Sequence, residues 1–129
     1  MFPDDNKIEL SLLERVAVVT LRHEIDIQDA SGVTAALQSA RTHRGADATL
    51  LAVDELTFAD STLLGLILHT SAEHGQAQRP FVLAGPFHTS VQRVLEITGA
   101  ADVLPLADTR EEGLQRLRAL LDATTAPST

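Results

Sequence analysis

Asp60, Ser61 and Thr62 stand where two runs of different character meet, in the stretch Thr57 to Leu68, TFADSTLLGLIL. An Asp and a Ser directly before a helix supply side-chain oxygens for backbone N–H groups that have no intrahelical partner, so their first available chemistry is capping. A serine at that place can also carry a phosphoryl group, which brings about −1.5 to −2 charges at pH 7 to the positive end of the helix dipole. The fold can tolerate such a charge there. A docked partner would have to desolvate it beside Asp60, which is costly when no cation compensates. Capping is the commoner role of such a pair and modification of the serine can coexist with it, with Asp60 orienting the turn and Thr62 the neighbouring hydroxyl.

The run behind the serine is unusually apolar. At about 100° per residue, Leu64, Ile67 and Leu68 form one core stripe, and Leu63 and Leu66 widen the apolar arc to roughly 200°, beyond the ~100° that a surface helix needs. Two coverings are possible: the rest of the domain, or a partner protein docked on an apolar surface that begins at the serine. The second is the expectation carried forward, with Leu63 and Leu66 as contact residues.

Other chemistries find less support. No cysteine is present, which removes disulfides, thiolate zinc sites and a cysteine nucleophile. His69 and His74 are five apart, about 140° around a helix axis, where an i, i+4 pair would be needed to share a metal; they read as solvated helix-surface residues. A hydrolase would need Ser61 on a strained turn between glycines, with a base and an oxyanion hole, but its neighbours are Asp60 and Thr62. No glycine-rich phosphate loop follows a strand, and Asp26, Asp29 and Asp60 sit where caps and solvated loops are expected. No catalytic residue, metal or cofactor is assigned, and the chain is not expected to be an enzyme.

The elements that hold these residues follow from periodicity. Ile8, Leu10 and Leu12 alternate with Lys7, Glu9 and Ser11 as in an edge strand, and Val16 to Leu21, VAVVTL, reads as a strand buried on both faces, the two making a hairpin. Val33, Ala36, Leu37 and Ala40 have helical spacing, with Asp29 or Ser31 as cap and Gly45 as stop. A buried strand at Thr49 to Val53 precedes Asp60, and the helix after it closes near Gly75. Phe81 to Ala84 is another strand, and Val91, Val94 and Leu95 mark a helix that Gly99 ends. An extended piece at Val103 to Leu106 leads to a capping box, Thr109 to Glu112, and a last helix with Leu114, Leu117 and Leu121 on one side. Strands separated by helices imply an α/β domain with a mixed, mostly parallel sheet of four or five strands, an antiparallel hairpin at the front and about four helices. Residues 1–122 make the domain and 123–129, ATTAPST, a frayed tail.

Size and charge narrow the class. A chain of 129 residues that is 44% apolar is long enough for a core without staples. Ten Lys and Arg against 18 Asp and Glu give a net charge of −8, which would repel a polyphosphate backbone and attract a basic protein surface. The apolar runs fall short of a membrane span and Met1 to Asn6 is too acidic for a signal peptide, so a cytoplasmic location is expected, with direct nucleic-acid and membrane partners excluded.

Taken together, LLAVDEL, FADSTLLG and RPFVLAGPFHTSVQRVLEITGAADVLPLADTREEGLQRL resemble the STAS domain of anti-sigma-factor antagonists, from about Ile8 to Leu121. The family's central Asp-Ser-Ser/Thr-Gly-Leu-Gly is matched by Asp60, Ser61, Thr62, Leu64 and Gly65, and its early Gly-Glu-Ile/Leu-Asp by Glu24, Ile25 and Asp26. Three positions differ: Leu63 and His23 stand where glycine is usual, and Ala52 where an Asp is common. The resemblance implies an antagonist that, when dephosphorylated, binds an anti-sigma factor with serine kinase activity and frees a sigma factor. Phosphorylation at Ser61 would switch it, a serine phosphatase would reverse it, and Glu24 and Asp26 would join Asp60, Ser61, Thr62, Leu63 and Leu66 in the contact. The alternative is an unphosphorylated STAS binding subunit, or a sensor of a small ligand or nucleotide, in a stress-signalling or transport assembly. The oligomeric state is left open.

Overall fold

The computed structural model describes residues 7–125. In chain order the elements are β1 (Ile8–Leu13), β2 (Val16–Ile25), α1 (Ala30–Thr42), β3 (Ala48–Ala59), α2 (Ser61–Gln76), β4 (Phe81–Ala84), α3 (Thr89–Ile97), β5 (Leu106–Ala107) and α4 (Arg110–Thr125). Short 3-10 turns occupy Ile27–Asp29 and Ala100–Asp102. The strands make one five-stranded sheet ordered as in the chain, with β1 antiparallel to β2 and all later neighbours parallel. The expected α/β class, front hairpin and four helices are all present.

Sheet order that follows chain order has a consequence. Each right-handed crossover from β2 to β5 steps the same way, so α1, α2 and α3 lie on one face of the sheet. There Val33, Leu37, Leu64, Ile67, Val91 and Leu95 pack on Ala17, Val19, Leu21, Leu51, Val53 and Leu83. On the opposite face, α4 returns and sets Leu117 and Leu121 against Val16, Val18, Leu50, Val82 and Ala84. The inner strands are therefore buried on both sides, which is why VAVVTL and TLLAV lack polar alternation. Gly113 lets α4 come close: a Cβ at that position would lie 2.6 Å from Leu50 Cδ1 and 3.3 Å from Ala84 Cβ.

The bounds and caps of the elements depart from the sequence expectations in four places. β2 and β3 run beyond Leu21 and Val53 to Ile25 and Ala59, because two register shifts let polar and apolar residues share one extended ribbon. The piece expected at Val103 to Leu106 pairs only as Leu106–Ala107, after the 3-10 turn. In the last helix's cap, Glu112 N–H donates to Thr109 Oγ1 at 3.0 Å, but the Glu112 carboxylate reaches back to Asp108 N–H at 2.8 Å, one residue earlier than expected. α4 also continues to Thr125, into the stretch read as a tail; residues 126–129 lie outside the described residues.

Candidate functional site

The parallel strands β2 to β5 all finish at the same end of the sheet, and the turns that follow them carry the candidate residues. Asp60 is the N-cap of α2: its Oδ1 accepts the Leu63 N–H at 2.9 Å, and its carbonyl accepts the Leu64 N–H at 3.1 Å. Ser61 and Thr62 are the first two helical residues and both are exposed. Their backbone N–H groups are the helix donors that the cap leaves uncommitted. Among the described residues the Ser61 hydroxyl has no hydrogen-bond partner, so it faces solvent at the positive end of a 16-residue helix.

Asp26 repeats this arrangement one strand away. It caps the 3-10 turn at Ile27–Asp29, accepting the Gln28 N–H at 3.0 Å, while its own N–H donates to Asp29 Oδ2 at 3.1 Å. Ile25 pairs with Ala59 in the parallel register, so Asp26 and Asp60 leave neighbouring strands side by side, about 5 Å apart by strand spacing. Lys7 Nζ closes on Asp29 at 3.0 Å. Burial alone would raise the Asp29 carboxyl, but the Asp26 N–H and the Lys7 ammonium outweigh it and hold the group below its ordinary range.

Other acids nearby are neutralised: Arg22 bridges Glu9 and Glu55 at 2.8 and 3.1 Å, and Arg110 meets Asp54 at 3.0 Å. Glu24, Asp26 and Asp60 have no ion pair among the described residues. The rim around Ser61 is thus negative without local compensation, as a surface that attracts cations would be.

The expected oily strip is not where the sequence put it. Leu63 is 2% exposed and sealed in the core, and Leu66 is half-buried between α1 and α2, beside Thr34, Leu37 and Gln38. The physical reason is the position of α2 within the helix layer. Leu63 and Leu66 serve packing toward α1, while Leu64 and Ile67 approach Val91, Val94 and Leu95 of α3, so the domain itself covers the wide arc. With Leu63 turned inward, it does not crowd the Ser61 hydroxyl.

Exposed apolar surface does lie beside Ser61, on residues that sequence periodicity passed over: Phe58 is 44% and Ile27 69% exposed. The pairing of β3 shifts by one residue between the His23–Leu56 and Glu24–Phe58 pairs, leaving Thr57 as the extra residue. Regular alternation from buried Leu56 would bury Phe58 and expose Ala59; the inserted residue does the reverse. On the facing strand His23 adopts φ 65°, the left-handed region that favours glycine, at the position where the resembled family carries one. Side-chain bonds pin the bulge: Thr57 Oγ1 donates to the His23 carbonyl at 3.1 Å, and Ser90 Oγ to the Thr57 carbonyl at 2.6 Å. An aromatic two residues before the Asp-Ser pair was the available signal; its direction depended on a bulge that composition does not announce.

His74, read as a solvated helix residue, is fully buried. Its Nδ1–H donates to the Thr70 carbonyl at 2.7 Å, its Nε2 accepts from Thr49 Oγ1 at 2.8 Å, and its ring meets Phe81 with centroids 5.0 Å apart. Both ring nitrogens are used in the neutral state, so His74 holds α2 to the sheet.

The chain matches the model of the STAS domain over residues 7–113. Among solved structures it resembles an anti-sigma factor antagonist from Mycobacterium paratuberculosis, with 21% identity, coverage of 86% of this chain and 92% of that one, and a TM-score of 0.78. RsbS from Moorella thermoacetica aligns at 18% identity, covering 89% and 97%, with a TM-score of 0.75. The phosphorylated form of SpoIIAA, a Bacillus cell fate determinant, aligns at 21% identity over 85% and 98%, with a TM-score of 0.65. At these identities the neighbours speak for the fold, and the family model spans most of the chain from β1 into α4. With a hairpin leading a parallel sheet and a capped Asp-Ser turn at the strand ends, this chain belongs to the STAS domain family.

Proposed function

We propose that this chain is an anti-sigma-factor antagonist: unmodified, it binds an anti-sigma factor that is also a serine kinase, and phosphorylation of Ser61 releases that partner. The observation that carries the reading is the exposed, unbonded Ser61 hydroxyl at the N-terminus of α2, beside exposed Phe58 and Ile27 and the unpaired acids Glu24, Asp26 and Asp60. An apolar patch within an acidic rim suits a partner that presents an apolar recess flanked by cationic side chains. Two of the named neighbours, an anti-sigma factor antagonist and a cell fate determinant in its phosphorylated form, support the class of partner and the modification.

In the transfer, Ser61 Oγ forms a bond to the γ-phosphorus of ATP held by the kinase, the bond from that phosphorus to the β,γ-bridging oxygen breaks, ADP leaves, and the hydroxyl proton passes to a base on the kinase. The uncommitted N–H groups of Ser61 and Thr62 tolerate the new dianion, so the domain stays folded. The interface does not tolerate it equally well. The dianion must be desolvated beside Asp60 while facing the phosphates of the ADP just formed, and binding is lost by local repulsion. Restoring the hydroxyl takes a serine phosphatase.

The test is intact-mass spectrometry of the wild type and Ser61→Ala after incubation with ATP in cytosol of the native host. The reading expects the wild type to gain one phosphoryl group and the variant none. A wild type that stays unmodified, or a variant modified to the same extent, contradicts the assignment of Ser61.

A further inference from the structure

The two edges of the sheet are treated differently. At β5 the edge is two residues long, the outward Leu106 carbonyl accepts from Arg116 Nη1, and the next N–H, of Asp108, is taken by Glu112 at 2.8 Å. At the other edge β1 extends for six residues, IELSLL, without proline, internal lysine or a register shift against β2. Such strands are the ones to which another chain can be added.

The hydrogen-bond parity of β1 is fixed by one contact. Arg22 N–H donates to the Lys7 carbonyl at 2.8 Å, directly before the Ile8–Leu21 pair. Bonded and non-bonded pairs alternate along an antiparallel ladder, so Glu9, Ser11 and Leu13 bond to β2, while Ile8, Leu10 and Leu12 turn their N–H and C=O groups outward, where among the described residues nothing meets them. The same three side chains share one face, with Leu10 36% and Leu12 46% exposed.

We infer that a second copy of this chain pairs with β1 antiparallel, about a two-fold axis at Leu10, to make one continuous sheet across two protomers. In that register Leu10 meets the partner's Leu10, Ile8 meets the partner's Leu12, and Leu12 meets the partner's Ile8. Every outward N–H and C=O of the three residues then has a mate, and apolar side chains face apolar side chains on one surface. Glu9, held by Arg22 at 2.8 Å, falls opposite the partner's Ser11, so no like charges oppose each other. A register centred on Glu9 keeps the hydrogen-bond parity but sets carboxylate against carboxylate. One centred on Leu12 requires Glu14 in the ladder, and Glu14 is at φ 59° in the hairpin turn.

One strand pair buries less than the ~1,200 Å² of a standard stable interface, so the dimer forms by mass action at high protein concentration. A net charge of −8 per copy opposes it, and added salt strengthens it by screening that repulsion. Sedimentation velocity over a concentration series tests the inference. The expected mass rises from 13.8 kDa toward twice that value. Leu10→Pro weakens association by about tenfold or more while keeping the wild-type melt, because the N–H it removes makes no bond to β2. A mass that stays at the monomer value throughout overturns the inference, as does a Leu10→Pro variant with the wild-type melt that associates as well as the wild type. If Leu10→Pro lowers the melt, amide exchange on the unaltered chain decides. Slower exchange at Ile8, Leu10 and Leu12 in concentrated than in dilute samples supports the pairing, and equal rates overturn it.

Discussion

Position 23 shows how one residue helps aim the site. A histidine at φ 65° bears a clash between its Cβ and the backbone that glycine does not have, worth about 1–2 kcal/mol before glycine's greater loss of chain entropy is set against it. His23→Gly is therefore expected to raise stability by about 0.5–1 kcal/mol in a denaturant melt, with the bulge beside it unchanged; a fall in stability would mean that the imidazole makes compensating contacts. Phe58, which this bulge turns outward, makes the opposite kind of prediction. Phe58→Ala should leave the melt within about 1 kcal/mol of the wild type and yet cost about 2 kcal/mol or more in binding the proposed kinase partner, the mark of an exposed aromatic anchor. Calorimetric titration beside a melt separates the two effects. Neither role is visible in alternation alone, because the inserted residue at Thr57 reverses which side of the strand is wet.

For α2, exposure separates a docking surface from a packed one. Its apolar arc is wide because the helix has α1 on one side and α3 on the other, and sequence periodicity gives the width of an arc without saying what covers it. Leu63→Ala is accordingly expected to destabilise the fold by about 2–4 kcal/mol, as truncation in a core does, and a variant that melts like the wild type would return Leu63 to the surface. The start of the same helix was easier to read. Asp60 caps it as the Asp-Ser order suggested, and Ser61 stands exposed in the first turn. What the pattern did not reveal was the length of β2 and β3, since their ends alternate only once two register shifts are allowed for.

Across the whole molecule, element order was the most legible property. Unbroken apolar runs between helical repeats could be satisfied only by a parallel sheet covered on both faces, and the leading alternating strand only by an edge. His74 was misread for the same reason as Leu63: tertiary packing buried a helix position that periodicity left open. Burial, followed by the nearby Arg79 and Arg41, pushes its pKa below the ordinary histidine value although the Thr70 carbonyl favours the charged ring. The unfolded chain thus takes up a proton near pH 6.5 and the folded chain only at lower pH, so stability is complete above about pH 6.5 and falls below it by up to about 1.4 kcal/mol per pH unit until the folded value is reached. Melts across that range should show the slope, and His74→Phe should flatten it; an unchanged slope in the variant would assign it to other groups. The switch proposed at Ser61 asks less of the fold, since a charge at an exposed helix start need not disturb either core. Its most direct measurement is the affinity of Ser61→Asp and of the wild type for the proposed kinase partner, taken together with both thermal melts. Much weaker binding by the variant at a melting temperature close to the wild type's is the predicted result, and equal affinity, or loss of affinity only alongside loss of the fold, would contradict it.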